Sequence, residues 1–134
     1  GGLIELEVLI DGAFVCFLRA DGLIITTPTG STAYALSAGG PILHPSLNCM
    51  GLVPVSAHTL SNRPIVLNKG ALIEVKILKA CDGRVNFDSH SHHNLKENDR
   101  ISVRSASSPI RLLHPKGHNY YAMLRQKLHW SDSL

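Results

Sequence analysis

Residues 21–42 read Asp-Gly-Leu-Ile-Ile-Thr-Thr-Pro-Thr-Gly-Ser-Thr-Ala-Tyr-Ala-Leu-Ser-Ala-Gly-Gly-Pro-Ile, and they are the most informative part of the chain. It predicts an apolar strand at 23–25, a hydroxyl-rich turn at 26–31 (the threonine turn) and a short helix at 32–38 that Gly39-Gly40-Pro41 ends. A strand that leads through a polar turn to a helix N-terminus exposes backbone N–H groups and hydroxyls at one place. Such a place suits a polar, anionic ligand such as a nucleotide.

The threonine turn lacks the two glycine-rich signatures of common nucleotide sites. It does not end in Gly-Lys-Ser/Thr as a Walker A loop does, and no Gly-x-Gly-x-x-Gly follows the strand. The residues alone therefore leave two interpretations open. The turn either binds a nucleotide or another polar small molecule, or it is a corner whose Ser and Thr side chains only cap the helix, with Ser31 as the N-cap.

Composition and length indicate one soluble globular domain. The 134 residues are 44% apolar and 17% charged, with a net charge of +3, which is typical of a chain with a single core. Lys and Arg form no stripe, which argues against nucleic-acid binding, and no apolar run is long enough to span a membrane. Three widely spaced cysteines argue against a disulfide framework or a zinc site and fit a reducing cytoplasm. Cys16, in an apolar run, is expected to be a small core residue.

The strand and turn pattern predicts a mainly β (α+β) fold, an antiparallel sandwich-like domain with two short helices. Apolar residues alternate over 3–10, Asp11-Gly12 is a hairpin signal, and 13–18 returns as the partner strand. A second helix is predicted over 120–129 with Asn119 as its N-cap. Further strands are predicted at 23–26, 52–56, 65–67, 72–78, 84–88, 100–106 and 110–114.

Several motifs, at consistent spacing over nearly the whole chain, carry a resemblance to a known family. They are Asp21-Gly22, Thr27-Pro28-Thr29-Gly30-Ser31-Thr32-Ala33-Tyr34, Ser37-Ala38-Gly39-Gly40-Pro41-Ile42, His58-Thr59-Leu60-Ser61, Arg63-Pro64, Phe87-Asp88-Ser89 and Leu113-His114-Pro115. Together they resemble the signature of the NAD kinases. That family also carries a Gly-Gly-Asp-Gly motif with the proposed catalytic base and an Asn-Glu pair, and neither motif is present here.

The resemblance therefore implies that residues 1–134 are a single C-terminal NAD-binding domain, with the N-terminal α/β catalytic domain absent and no catalytic residue in this chain. The full enzyme would transfer a phosphoryl group from ATP, accompanied by a divalent cation such as Mg²⁺, to the adenosine ribose 2′-hydroxyl of NAD, giving NADP. NAD, NADP and ATP are the implied ligands, in a cytoplasmic homo-oligomer, and this chain alone is expected to be inactive. The alternative is a non-catalytic nucleotide-binding or oligomerisation module.

The resemblance also implies which residues bind NAD. The segment 32–37 lines the NAD site in the family, Ala57 marks a strand end where the backbone approaches the adenine, and the position of His90 contacts the dinucleotide. Without the resemblance, Asp21 would be a turn residue and Tyr34 a packing residue. The implied NAD-binding set is Arg19, Asp21, Thr32, Ala33, Tyr34, Ala35, Leu36, Ser37, Ala57 and His90.

The run formed by His90, His92 and His93 could in principle bind a metal ion. It lies in a predicted loop among polar residues, where such runs are commonly solvated. No metal site is predicted.

Overall fold

The computed structural model describes residues 3–58, 62–131 and 133. The strands are β1 (Ile4–Ile10), β2 (Ala13–Ala20), β3 (Gly22–Thr26), β4 (Cys49–Val55), β5 (Ile65–Asn68), β6 (Ile73–Lys79), β7 (Arg84–Phe87), β8 (Ser91–Asn94) and β9 (Arg100–Val103). The helices are α1 (Tyr34–Ser37) and α2 (Tyr120–Leu128), with a 3₁₀ turn at Thr29–Thr32 before α1. Among the described residues, no helix has both the length and the apolar character needed to cross a bilayer.

Two antiparallel sheets form the body of the molecule, in the orders β2-β1-β6-β9 and β3-β4-β5. Their facing side chains make one core, to which the first sheet contributes Leu6, Val8 and Ile73, and the second contributes Met50 and Leu52. A third pair, β7-β8, forms a separate hairpin. The predicted fold class, a mainly β sandwich with two short helices, is confirmed.

The hairpin between β1 and β2 forms where the sequence places it. Asp11 and Gly12 have φ of 52° and 79°, the left-handed conformation that a two-residue hairpin turn requires at both positions. The Asp11 carboxylate also accepts the Leu72 backbone N–H at 2.9 Å, and the Asp11 N–H donates to the Leu72 carbonyl at 2.9 Å. The turn therefore also holds the chain just before β6.

One strand prediction is wrong, and one strand lies where the sequence predicts a loop. Residues 110–114 form no strand, and Ile110 and Leu113 are 90% and 96% exposed. An apolar run of this length has strand propensity, but a strand also needs a neighbour to accept and donate its backbone hydrogen bonds. Conversely, the polar stretch Ser91–Asn94 is a strand, β8, because it pairs with β7 across a tight turn.

The three-stranded sheet also buries its outer face. Val53 follows Leu52 along β4 and so points away from the sandwich core, yet it is buried. Three more side chains are buried but lie outside the sandwich core cluster: Ala35 of α1, Leu124 of α2, and Leu43 in the chain between α1 and β4. This second apolar layer is the platform on which the threonine turn and α1 rest.

We expect Ile73→Ala to lower the free energy of unfolding by about 2–5 kcal/mol, because Ile73 is fully buried and its loss leaves a cavity. The matched control, Ile110→Ala, should change it by no more than about 0.5 kcal/mol, since that side chain lies in solvent. Urea denaturation of the 134-residue chain measures both. A loss at residue 110 as large as that at residue 73 would contradict the exposed position of Ile110.

Candidate functional site

The threonine turn is built from hydrogen bonds between its own side chains and backbone. Strand β3 ends at Thr26, whose hydroxyl donates to the Thr27 carbonyl at 2.9 Å. The Thr27 hydroxyl oxygen in turn accepts the Gly30 N–H at 3.1 Å, which closes the 3₁₀ turn. The hydroxyl-rich composition is thus partly used to fold the turn, as the capping interpretation of the sequence requires.

Ser31 is not the helix N-cap that the sequence predicts. It lies inside the 3₁₀ turn and is fully buried, and its Oγ accepts the Leu43 N–H at 2.9 Å and donates to the Pro28 carbonyl at 2.6 Å. Helix α1 begins only at Tyr34, because Ala33 has φ −102° and ψ −124° and interrupts the helical conformation. The buried hydroxyl therefore ties the threonine turn to the chain that returns towards β4.

Helix α1 is held against the sheet by a close backbone approach. The Gly40 N–H donates to the Ala35 carbonyl at 2.9 Å. A Cβ at residue 40 would lie 2.8 Å from that carbonyl oxygen and 2.9 Å from a methyl group of Val53, so only glycine fits there. This approach sets the distance between α1 and β4.

The segment 32–37 presents a mixed surface. The Tyr34 side chain is 75% exposed, which contradicts the interpretation that it packs in the core. Ala33 and Ser37 are exposed, Thr32 and Leu36 are half-buried, and Ala35 is buried against the sheet. The segment thus offers an aromatic ring and hydroxyl groups to solvent from a fixed backbone.

Arg19, Asp21 and Ala57 lie together at the other end of β3. The Arg19 carbonyl accepts the His58 N–H and the Val55 carbonyl accepts the Asp21 N–H, both at 3.0 Å, so β4 and the residues after it are held beside the β2–β3 connection. The Arg19 guanidinium donates to Glu5 at 2.7 Å, an exposed pair that stabilises the fold by at most about 1 kcal/mol. The Asp21 side chain is exposed, and Ala57 packs at the edge of the core.

The group formed by Arg19, Asp21 and Ala57 is separated in space from segment 32–37. Strand β3 has five residues, and at about 3.3 Å per residue it separates Asp21 from Thr26 by roughly 15 Å. Among residues 3–58, 62–131 and 133, no hydrogen bond or ring contact joins Arg19 or Asp21 to the segment 32–37. The motif residues Thr59, Leu60 and Ser61 lie outside the described residues.

His90 lies in the turn of the β7-β8 hairpin, where its N–H donates to the Phe87 carbonyl at 3.2 Å. The side chain is exposed, and in the described parts of the chain it contacts neither group of implied site residues. His92 and His93, predicted to lie in a loop, are on strand β8. Within the described ranges, no three His, Cys, Asp or Glu side chains are grouped so that they could hold a metal ion.

Helix α2 brings to segment 32–37 a side chain that the sequence does not point to. Lys127, in its last turn, donates from Nζ to the Thr32 hydroxyl at 3.1 Å. The helix begins as predicted, with the Asn119 side chain accepting the Ala122 N–H at 3.0 Å. No local pattern links residues that are 95 positions apart, so the sequence carries no signal for this contact.

An apolar cleft of about 270 Å³ opens elsewhere, on the side of the sandwich where Val15, Leu23 and Pro54 line it. Cys16 is partly buried there, and burial raises the pKa of its thiol above the ordinary value. The thiol therefore stays protonated at neutral pH and behaves as a small apolar side chain, not as a nucleophile. The lining is mainly apolar but also includes Asn62 and Arg63.

The comparisons with known proteins identify the family. Residues 1–114 match the model of the ATP-NAD kinase C-terminal domain, and the chain belongs to that family. This confirms the resemblance carried by the sequence motifs.

Relatives cover the full length of the chain. The NAD kinase of Nitrosospira multiformis is 60% identical over 131 residues, which are 98% of this chain and 45% of that protein. The NAD kinase of Nitrosomonas eutropha is 61% identical over 133 residues, 99% of this chain and 45% of that protein. The chain therefore spans less than half the length of these relatives.

Solved structures show the same architecture. Yeast NADH kinase complexed with NADH superposes with a TM-score of 0.87 at 28% identity, over 98% of this chain and 41% of that one. An NAD kinase from Archaeoglobus fulgidus in complex with ATP superposes with a TM-score of 0.71 at 32% identity, over 80% of this chain and 41% of that one.

We expect Ser31→Ala to lower the free energy of unfolding by about 1–3 kcal/mol, because it leaves the buried Leu43 N–H without its acceptor. Ser37→Ala, which removes the same hydroxyl from an exposed position, should cost no more than about 0.5 kcal/mol. Thermal and urea denaturation of both variants give the comparison. Equal losses would show that the Ser31 hydroxyl does not hold the threonine turn.

Proposed function

We propose that residues 1–134 are the C-terminal NAD-binding domain of an NAD kinase, which transfers a phosphoryl group from ATP to the adenosine ribose 2′-hydroxyl of NAD. The observation that carries this proposal is the exposed surface of segment 32–37, held on a rigid sheet within a motif that belongs to the ATP-NAD kinase family. The structural relatives support the ligand classes, since one was solved with NADH and the other with ATP.

The segment 32–37 would form the floor of the NAD site. Tyr34 offers an exposed aromatic face against which a planar base or nicotinamide ring can stack. The hydroxyls of Thr32 and Ser37 flank it and can hydrogen-bond ribose hydroxyls. Ala33, Ala35 and Leu36 contribute the backbone and the shape of the floor.

Arg19, Asp21, Ala57 and His90 would complete the set of NAD-binding residues. The Asp21 carboxylate suits an amide N–H or a ribose hydroxyl, and the Arg19 guanidinium suits a phosphate. Ala57 leaves room for the adenine at a strand end, and the exposed His90 ring is free to meet the dinucleotide from the β7-β8 hairpin.

The chemistry of phosphoryl transfer would be divided between this chain and the rest of the enzyme. The catalytic base would come from outside these 134 residues, so the chain alone is expected to be inactive. The divalent cation would arrive with ATP, because Mg²⁺ is commonly bound through phosphates and few protein carboxylates. Among the described residues, no group of three or more His, Cys, Asp or Glu side chains could hold it. We place the enzyme in the cytoplasm, in keeping with its free cysteines.

The enzyme would act as a homo-oligomer, with strand β2 at an interface between copies. This strand is the edge of the four-stranded sheet and exposes Phe14 and Phe17, whose rings lie 4.9 Å apart. An apolar sheet edge of eight residues is a surface that proteins usually cover. A second copy related by a two-fold axis would bring the same strand against it.

In the full-length enzyme, Tyr34→Ala should weaken NAD binding by about 1–3 kcal/mol, because the stacking surface is lost. Its melting temperature should change little, since the ring is in solvent. Ile110→Ala, at a side chain that is 90% exposed, serves as the control and should leave NAD affinity unchanged. Calorimetric titration with NAD, together with a coupled assay of NADP formation, measures both.

The same experiments test the proposed function as a whole. NADP formation by the full-length protein, and only background activity from the 134-residue chain, are the expected results. NAD binding without turnover in the full-length protein would favour the non-catalytic module, and the absence of NAD binding would refute the NAD site.

Phe17→Glu should shift the full-length enzyme towards a smaller assembly, because a carboxylate at the β2 edge cannot be buried between two copies. Phe87→Glu places the same change at an exposed phenylalanine of the β7-β8 hairpin and should leave the assembly intact. Light scattering coupled to size exclusion gives both masses. An unchanged mass for Phe17→Glu would remove β2 from the interface.

A further inference from the structure

The segment 32–37, the proposed floor of the NAD site, carries no charged residue. Between Asp21 and Arg63 the sequence contains no Asp, Glu, Lys or Arg. The threonine turn, α1 and the chain leading to β4 all fall in this uncharged stretch. Phosphates of a dinucleotide are bound well by charge-assisted hydrogen bonds, so a cation that reaches segment 32–37 has to come from outside this uncharged stretch.

Helix α2 brings such a cation to the centre of this stretch. The Lys127 ammonium group donates to the Thr32 hydroxyl at 3.1 Å, at the first residue of segment 32–37. An ammonium group has three donors, and this bond occupies one of them. The Lys127 side chain is exposed, and in the described part of the chain no carboxylate lies within 4.0 Å of its ammonium group. The salt bridge found there joins Arg19 and Glu5.

The position of Lys127 is set by the packing of the helix. Leu124, one turn earlier, is buried, and the Tyr120 ring meets the His44 ring edge-on with centroids 4.7 Å apart. The Asn119 side chain caps the first turn of α2, the Tyr120 ring places that end of the helix beside His44, and Lys127 near the other end meets Thr32. The lysine is thus presented by a fixed helix, and Lys127 lies beyond residues 1–114, the part that the family model matches.

We propose that Lys127 is a further binding residue of the NAD site, where its ammonium group, anchored on the Thr32 hydroxyl, contacts the phosphates of the dinucleotide. This inference rests on the proposed function, because it assigns the ligand of segment 32–37. A competing explanation is that a cation in the last turn only stabilises the C-terminus of α2. Arg125 lies in the same last turn, so it provides a control for that effect.

The test compares Lys127→Met, Lys127→Arg and Arg125→Met in the full-length enzyme by calorimetric titration with NAD. Loss of a charge-assisted hydrogen bond predicts that Lys127→Met raises the dissociation constant about tenfold or more. Lys127→Arg should restore most of the affinity, and Arg125→Met should stay within about twofold of the parent, since it removes a charge from the same helix end and leaves the contact between Lys127 and Thr32 in place.

Two further readouts separate contact with phosphate from a structural role. The affinity of the parent for NAD should fall as salt is raised, and that of Lys127→Met should fall less steeply, because one charge interaction is gone. Adenosine, which has no phosphate, should bind the parent and Lys127→Met equally. A structural role would weaken adenosine binding as well and would leave the salt dependence unchanged.

The outcomes are distinct. A parent enzyme that binds NAD, with Lys127→Met binding it equally well, would overturn the role of Lys127 and leave the proposed function intact. Equal losses in Lys127→Met and Arg125→Met would also overturn it, in favour of helix stabilisation. A parent that binds no NAD would refute the proposed NAD site and, with it, this inference.

Discussion

One buried hydroxyl group holds the candidate site together. Ser31 Oγ accepts the Leu43 N–H and donates to the Pro28 carbonyl, so a single fully buried side chain joins the threonine turn to the segment that leads into β4. Inside a protein these bonds have no water to replace them, and an unpaired N–H at this place would be costly. The exposed hydroxyls and the Tyr34 ring keep their positions because the buried Ser31 hydroxyl has its hydrogen-bond partners.

Stability and the proposed ligand binding depend on different parts of the sandwich. Its core lies between the two sheets, whereas the segment of α1 and Gly40 approaches Val53 on the outer face of the three-stranded sheet. Val53 connects the two layers, since β4 places Leu52 in the core and Val53 under α1. The platform is therefore rigid, and the residues that face solvent on it are free to serve a ligand. A site of this kind is adjusted by surface substitutions with little effect on the core.

The implied NAD-binding residues occupy three places in one chain: the segment 32–37, the Arg19–Asp21 end of β3, and the β7-β8 hairpin that carries His90. An extended dinucleotide has several groups to be recognised, and a β sandwich can meet them only at strand ends and loops. The family assignment names the reaction class, and the relatives are more than twice as long as this chain. The threonine turn carries no charged residue, which is consistent with catalytic groups that come from outside these residues.

Residue types along the chain predict the features that depend on neighbouring residues: the Asp11-Gly12 turn, the Asn119 cap, the fold class and the family motifs. Left-handed backbone angles and capping side chains act within a few positions, so local residue types suffice to predict them. Only the tertiary structure decided that Ser31 is buried instead of capping a helix, that β8 is a strand and 110–114 is not, and that Lys127 meets Thr32. Each of these outcomes depends on a partner distant in sequence or on an available strand neighbour, which residue types alone do not specify.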